Sequence, residues 1–168
     1  MIILGVDPGL AKTGYGVIGI EGDRISHVTH DIISTDADLQ TGKRLNLIFA
    51  AIASAVKRYH PDYAAVENLY FSKNVSSALP VAQARGVVLL ALARGEIDTR
   101  EFSPLEIKQI ITGNGRAEKR QVQELVRFLL SLKEIPQPDH ASDALAAAIC
   151  CYHVVSAEQK MSRKEEEE

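Results

Sequence analysis

Residues 2–34 read IILGVDPGLAKTGYGVIGIEGDRISHVTHDIIS. Within them, 2–7 (IILGVD) is a β-branched apolar run of strand length. Residues 14–20 (GYGVIGI) interleave Gly with Tyr, Val and Ile and suit a second strand. The turn Glu21-Gly22-Asp23 leads to a third over 25–34. Three strands joined by short turns predict an antiparallel meander. Beyond it, Leu45, Ile48, Phe49, Ile52 and Val56 keep the 3–4 spacing of a helix over 42–59, which Pro61 stops. YAAVE at 63–67 is a short buried strand. A long helix over 75–94 ends at Gly95, and a fifth strand covers 97–102. Pro104 opens a helix to about 112, broken by Gly113-Asn114-Gly115. Helices follow over 117–132 and, capped by Asp139, over 139–155. The order predicts an α/β protein: a mixed five-stranded sheet, meander plus two parallel strands, with helices on both faces. One domain is expected over 1–156, with a flexible charged tail over 157–168.

Composition agrees. The chain has 168 residues, 46% hydrophobic and 24% charged. One such domain buries roughly 70% of its extended surface. The composition is too apolar for a disordered chain, and no apolar run reaches the roughly 18 residues of a membrane span. MIILGVDPGL has neither a basic leader nor a small-residue cleavage site, and reads as a strand rather than a signal peptide. Cys150 and Cys151 are adjacent on a helix, where a bridge between them is badly strained. Reduced thiols and a cytoplasmic location are expected. The net charge of -3 comes from the terminal Glu165–Glu168 run; without it, 19 basic residues face 18 acidic ones. Between Lys108 and Lys133, six basic residues outnumber two acidic ones. That surplus suits a phosphate-rich partner, though a solvated helix face has the same composition.

Three acids stand out. Asp7 ends the first strand before Pro8-Gly9, where turn chemistry alone explains an Asp. Glu67 ends YAAVE, also at the C-terminal end of a buried strand. Both acids therefore fall at the sheet edge where α/β proteins gather ligands. Asp143 and His140 are three residues apart on one face of the last helix, in the first turn, where the helix dipole favours anions. Asp7, Glu67, His140 and Asp143 thus converge from three elements. Converging carboxylates repel one another, and a hard divalent cation relieves this. Two Mg²⁺ ions, with Mn²⁺ as substitute, can activate water and stabilise the leaving oxygen of a phosphodiester.

At this point the chain resembles the RuvC family of Holliday-junction resolvases, within the RNase H-like nucleases. The matching stretches are GVDPGLAKTGYGVI at 5–18, PDYAAVENLYFSKNVSSALPVAQARGV at 61–87, GNGRAEKRQVQ at 113–123 and DHASDALAAAI at 139–149. The resemblance implies an RNase H-like fold and a homodimer that nicks two opposing strands of a four-way DNA junction. It implies metal binding by Asp7, Glu67 and Asp143, and partnership with a RuvA/RuvB branch-migration complex. The fourth metal position, often Asp in the family, is His140 here, leaving its role open between ligand and general base. Tyr70 and Phe71, two aromatics on a loop leaving the site, are both candidate DNA contacts. One is expected to stack on an unpaired crossover base and the other to pack under the following helix, and the resemblance favours Tyr70 as the exposed one. Lys73, Lys108, Arg116, Lys119 and Arg120 are the expected contacts to the DNA backbone; Lys119 can also steady charge on the scissile phosphate.

The helix over 75–94 carries Val75, Leu79, Val81, Val87, Val88, Leu89, Leu90 and Leu92, too many for one stripe. Deep burial or a two-fold dimer through this helix explains the excess, with Gly86 permitting close approach. Two rival functions fit less of the chain. An ATP-binding protein of the actin and sugar-kinase type also starts with a strand, an Asp and a Gly-rich turn, but needs two such subdomains. A non-catalytic junction-binding module leaves the separated acids without a role.

Overall fold

The computed structural model describes residues 1–68 and 75–166. Its sheet is centred on β1 (Ile2–Asp7). β2 (Lys12–Glu21) pairs antiparallel with β1, and β3 (Arg24–Ser34) antiparallel with β2. On the other side, β4 (Tyr63–Glu67) is parallel to β1 and β5 (Asp98–Phe102) parallel to β4. The order is β3-β2-β1-β4-β5, the expected meander plus two parallel strands. β2 is longer than the spacing predicts, because its first residue Lys12 still pairs with Ser34.

Strand alternation divides the core in two. Leu4, Val6, Val17, Ala64 and Val66 pack beneath α1 (Thr41–Tyr59) and α2 (Val75–Arg94). Ile3, Ile18 and Ala65 face the opposite way, onto α5 (Asp139–Glu166) and its flanking helices α3 (Pro104–Thr112) and α4 (Lys119–Leu129). Ser103 and Glu106 form a reciprocal capping box at the start of α3; Glu118 and Gln121 do the same for α4. Those caps explain why α4 begins at Lys119 rather than at 117.

Two boundaries differ further from expectation. α4 ends at Leu129 and Ser131 takes a left-handed conformation (φ 53°), so the helix stops short of 132. α5 runs on to Glu166 instead of ending near Val155. The continuation SAEQKMSRKEE holds no Gly or Pro and is rich in good helix formers. Arg100 on β5 also ties Glu158 back to the sheet at 3.2 Å. Both cysteines are free and buried on α5, and burial pushes each thiol up to about 12. No described helix is long and apolar enough to cross a membrane.

Candidate metal centre and active site

The alternation that divides the core also aims the acids. On β1, Ile3 and Gly5 face α5, so Asp7 does too; on β4, Tyr63 and Ala65 face it, and so does Glu67. Because β1 and β4 are parallel neighbours, both acids leave the same edge of the sheet. The segment after Asp7 is tied down: the buried Thr13 hydroxyl donates to the Gly9 carbonyl (2.7 Å), and the Gly9 amide donates back to that hydroxyl (3.3 Å).

Helix α5 supplies the other half, and glycines let it in. A Cβ on Gly5 would fall inside the Ala144 carbonyl, and one on Gly14 inside that of His140. With hydrogen in those places, the helix backbone lies directly on β1 and β2. Its first turn then projects over Asp7. His140 Nδ1 meets Asp7 Oδ2 at 2.6 Å. Asp7, His140 and Asp143 can each offer an atom within 4.8 Å of the others, a spacing that suits one cation. Glu67 and Asp143 line a cleft of about 220 Å³ with Lys108 and Lys119, floored by Ile107, Val122 and Ala146.

The electrostatics are those of crowded acids. Burial first, then the charges of Asp7 and Asp143, push the Glu67 carboxyl up to about 8. Burial also raises Asp143, against the pull of Lys119. Donating a hydrogen bond to the Asp7 carboxylate raises His140, favouring its imidazolium form. Lys119 Nζ donates to Asp143 Oδ2 (2.8 Å) and lies 3.3 Å from Asp139 Oδ2. Its desolvation is outweighed by these two acids, which keep it charged. Asp139, read from the sequence as a cap, is instead the first helical residue and also accepts from Gln123 (3.1 Å). Even with one ammonium and one imidazolium beside them, burial and the crowding of the acids are enough that Glu67 keeps its proton near neutral pH. Carboxylate oxygens with one imidazole nitrogen, and the repulsion left among the acids, therefore fit a divalent cation.

Of the expected DNA contacts, Lys108 and Lys119 are brought to this cleft. Arg116 and Arg120 are exposed, before and within the first turn of α4, and line no part of it. Tyr70, Phe71 and Lys73 lie outside the described residues. Sequence reasoning missed the Lys119 bridge to Asp139 and Asp143, since nothing in either segment announces that α4 and α5 start side by side.

The sheet and its helices are those of the RNase H-like resolvases. The yeast mitochondrial Holliday junction resolvase shares this fold at 13% identity, with a TM-score of 0.63 over 88% of this chain and 77% of that one. The family model for crossover junction endodeoxyribonuclease RuvC matches residues 3–151. The RuvC of Heliobacterium modesticaldum is 49% identical over 91% of this chain and 94% of its own length; that of Treponema denticola is 52% identical over 88% and 83%. The Thermus thermophilus RuvC structure superposes with a TM-score of 0.86 at 31% identity, covering 95% of this chain and 97% of that one. The same protein in complex with a Holliday junction substrate gives 0.85 at 32%, over 89% and 92%. The chain belongs to the RuvC family.

Proposed function

We propose that this chain resolves four-way DNA junctions by paired, symmetric hydrolysis of two opposing phosphodiesters, leaving 5′-phosphate and 3′-hydroxyl ends that ligase can rejoin. The observation that carries this reading is the convergence of Asp7, Glu67, His140 and Asp143 at one sheet edge. Support comes from family membership and from the likeness to a relative solved with its junction substrate.

Asp7, Glu67 and Asp143, with His140, would hold Mg²⁺, two ions per site, with Mn²⁺ able to substitute. When bound, the cations supply Lewis acidity to the attacking water and the departing oxygen. The protein's own groups do the rest. Asp7 fixes the His140 ring through Nδ1, which would orient the imidazole, in its neutral form, as a cation ligand or as a base toward water. Lys119, held by two acids at the cleft mouth, places an ammonium where the scissile phosphate gains charge. Lys108 and the exposed Arg116 and Arg120 extend that basic surface along the strand. Tyr70, Phe71 and Lys73 complete the DNA contacts.

Two sites facing one symmetric junction call for a two-fold dimer. Helix α2 suits it: Ala84, Val88, Ala91 and Leu92 are buried in this chain, whereas Leu79 and Leu90 are 61% and 54% exposed on another side. Gly86 lies between those leucines along the helix and is open, with nothing near its missing Cβ. Coupling to a RuvA/RuvB motor in the cytoplasm completes the proposal.

The test is a synthetic four-way junction labelled on each strand, incubated with Mg²⁺. Paired nicks on opposing strands are expected, and Asp7→Asn or Asp143→Asn should lower the rate by at least about 100-fold while leaving junction binding intact. Retained cutting by either variant contradicts the assigned roles.

A further inference from the structure

Arg44 sits in the first turn of α1, which starts at the sheet edge where Asp7 lies, on the β3 side and on the sheet face opposite α5. Its Nε donates to the Thr35 hydroxyl at 2.8 Å. Thr35 is buried and donates in turn to the Leu10 carbonyl, while its amide donates to Ala11. Arg44 is thereby fastened to the segment that follows Asp7. Lateral position follows from the pairing: Asp7 stands opposite Gly14, and Gly14 opposite Ile32. Those are two strand spacings of about 4.8 Å, with Thr35 three residues further along.

Of its five donors, this guanidinium spends one among the described residues, on a neutral hydroxyl. Among the described residues, no carboxylate lies within ion-pair distance of it. Asp36, in the loop before α1, instead accepts from the Asp38 amide. Lys43 beside Arg44 and Lys12 at the start of β2 are both exposed, and the first turn of α1 holds no acid to offset them. Cations at a helix N-terminus oppose its dipole. Arg44 is thus fastened at a point about 14 Å from Asp7 along the same sheet edge. A half-buried arginine there, without an ion-pair partner among the described residues, fits a phosphodiester oxygen of a strand crossing that edge through its planar fork.

We propose that Arg44 is a positioning residue that grips a backbone phosphate of the cleaved strand, on the β3 side of the site. Lys119 and Lys108 hold the strand from the β4 side. The inference rests on the junction-cleaving function proposed above. Charge at the two flanks then fixes the strand across the acids at two points, so that the scissile phosphate cannot slide along them.

The experiment measures junction binding in Ca²⁺, in place of Mg²⁺, for the full chain and for Arg44→Gln and Arg44→Lys, from 50 to 300 mM salt. Melting temperatures and Mg²⁺-dependent cleavage at saturating protein accompany it. Arg44→Gln should weaken binding about 5- to 20-fold and lower the slope of log affinity against log salt by about 1, with the melting temperature kept. Arg44→Lys should recover the slope yet cleave more slowly, since an ammonium lacks the fork. An unchanged slope in Arg44→Gln, with or without a fall in melting temperature, overturns the inference. If the unaltered chain neither binds nor cuts the junction, the proposed function fails instead.

Discussion

Glu67 shows how far a single residue can be read before folding is known. Its place at the end of YAAVE marks it as a site candidate, and the alternation of β4 already implies the face it takes. Its titration was not legible, because that depends on burial and on Asp7 and Asp143 arriving from other elements. With a folded value of about 8, above its ordinary value of 4.5, the group favours the folded state while protonated. That contribution is complete below about pH 4.5 and is lost as pH rises through 8. Asp143 and His140, both raised, act in the same sense. The metal-free protein should therefore melt at lower temperature at pH 9 than at pH 6, a difference on the order of a few kcal/mol. Glu67→Gln should flatten that dependence, and Mn²⁺ should restore stability at high pH. Thermal melts across this range, with and without metal, check it; a profile that metal leaves unchanged would count against the site.

Among the elements, α5 does most to assemble the site, and its approach depends on two glycines. The sequence pattern locates the helix and the small residues Ala144, Ala147 and Ala148 that let it lie close. It does not disclose that Gly5 and Gly14 are the matching hollows on β1 and β2, since glycine in a strand has several explanations. Gly5→Ala should cost about 3 kcal/mol or more, because the obstruction is the Ala144 backbone and no side chain can yield. Chemical denaturation measures this, and a loss below about 1 kcal/mol would mean that α5 lifts away freely. Gly86→Ala on α2, where a Cβ meets nothing, serves as the mild counterpart in the isolated chain. The two apolar sides of α2 were legible as an excess over one stripe, and the structure sorts them into buried Val88 and Leu92 and exposed Leu79 and Leu90. Leu90→Glu should convert a dimer to monomers in sedimentation at micromolar concentration with the fold intact. A variant that stays dimeric would move the interface elsewhere.

At the scale of the molecule, hydrophobic periodicity and turn residues sufficed to place the five strands and five helices of the described residues in chain order, because each element's pattern agrees with its place in the layers. What eluded sequence reading depends on meetings between distant segments. Lys119 bridging Asp139 and Asp143 is one such meeting, and Arg44 fastened through Thr35 to Leu10 is another. The reach of α5 to Glu166 was missed for a different reason: its charged last turns carry no apolar stripe to mark them as helix. The fold's purpose, in this account, is to deliver acids from β1, β4 and α5 to one point. Anomalous diffraction from a crystal soaked in Mn²⁺ measures that delivery. Peaks bounded by Asp7, Glu67, His140 and Asp143 are expected. Peaks confined to other parts of the surface, with this point empty at saturating Mn²⁺, would contradict it.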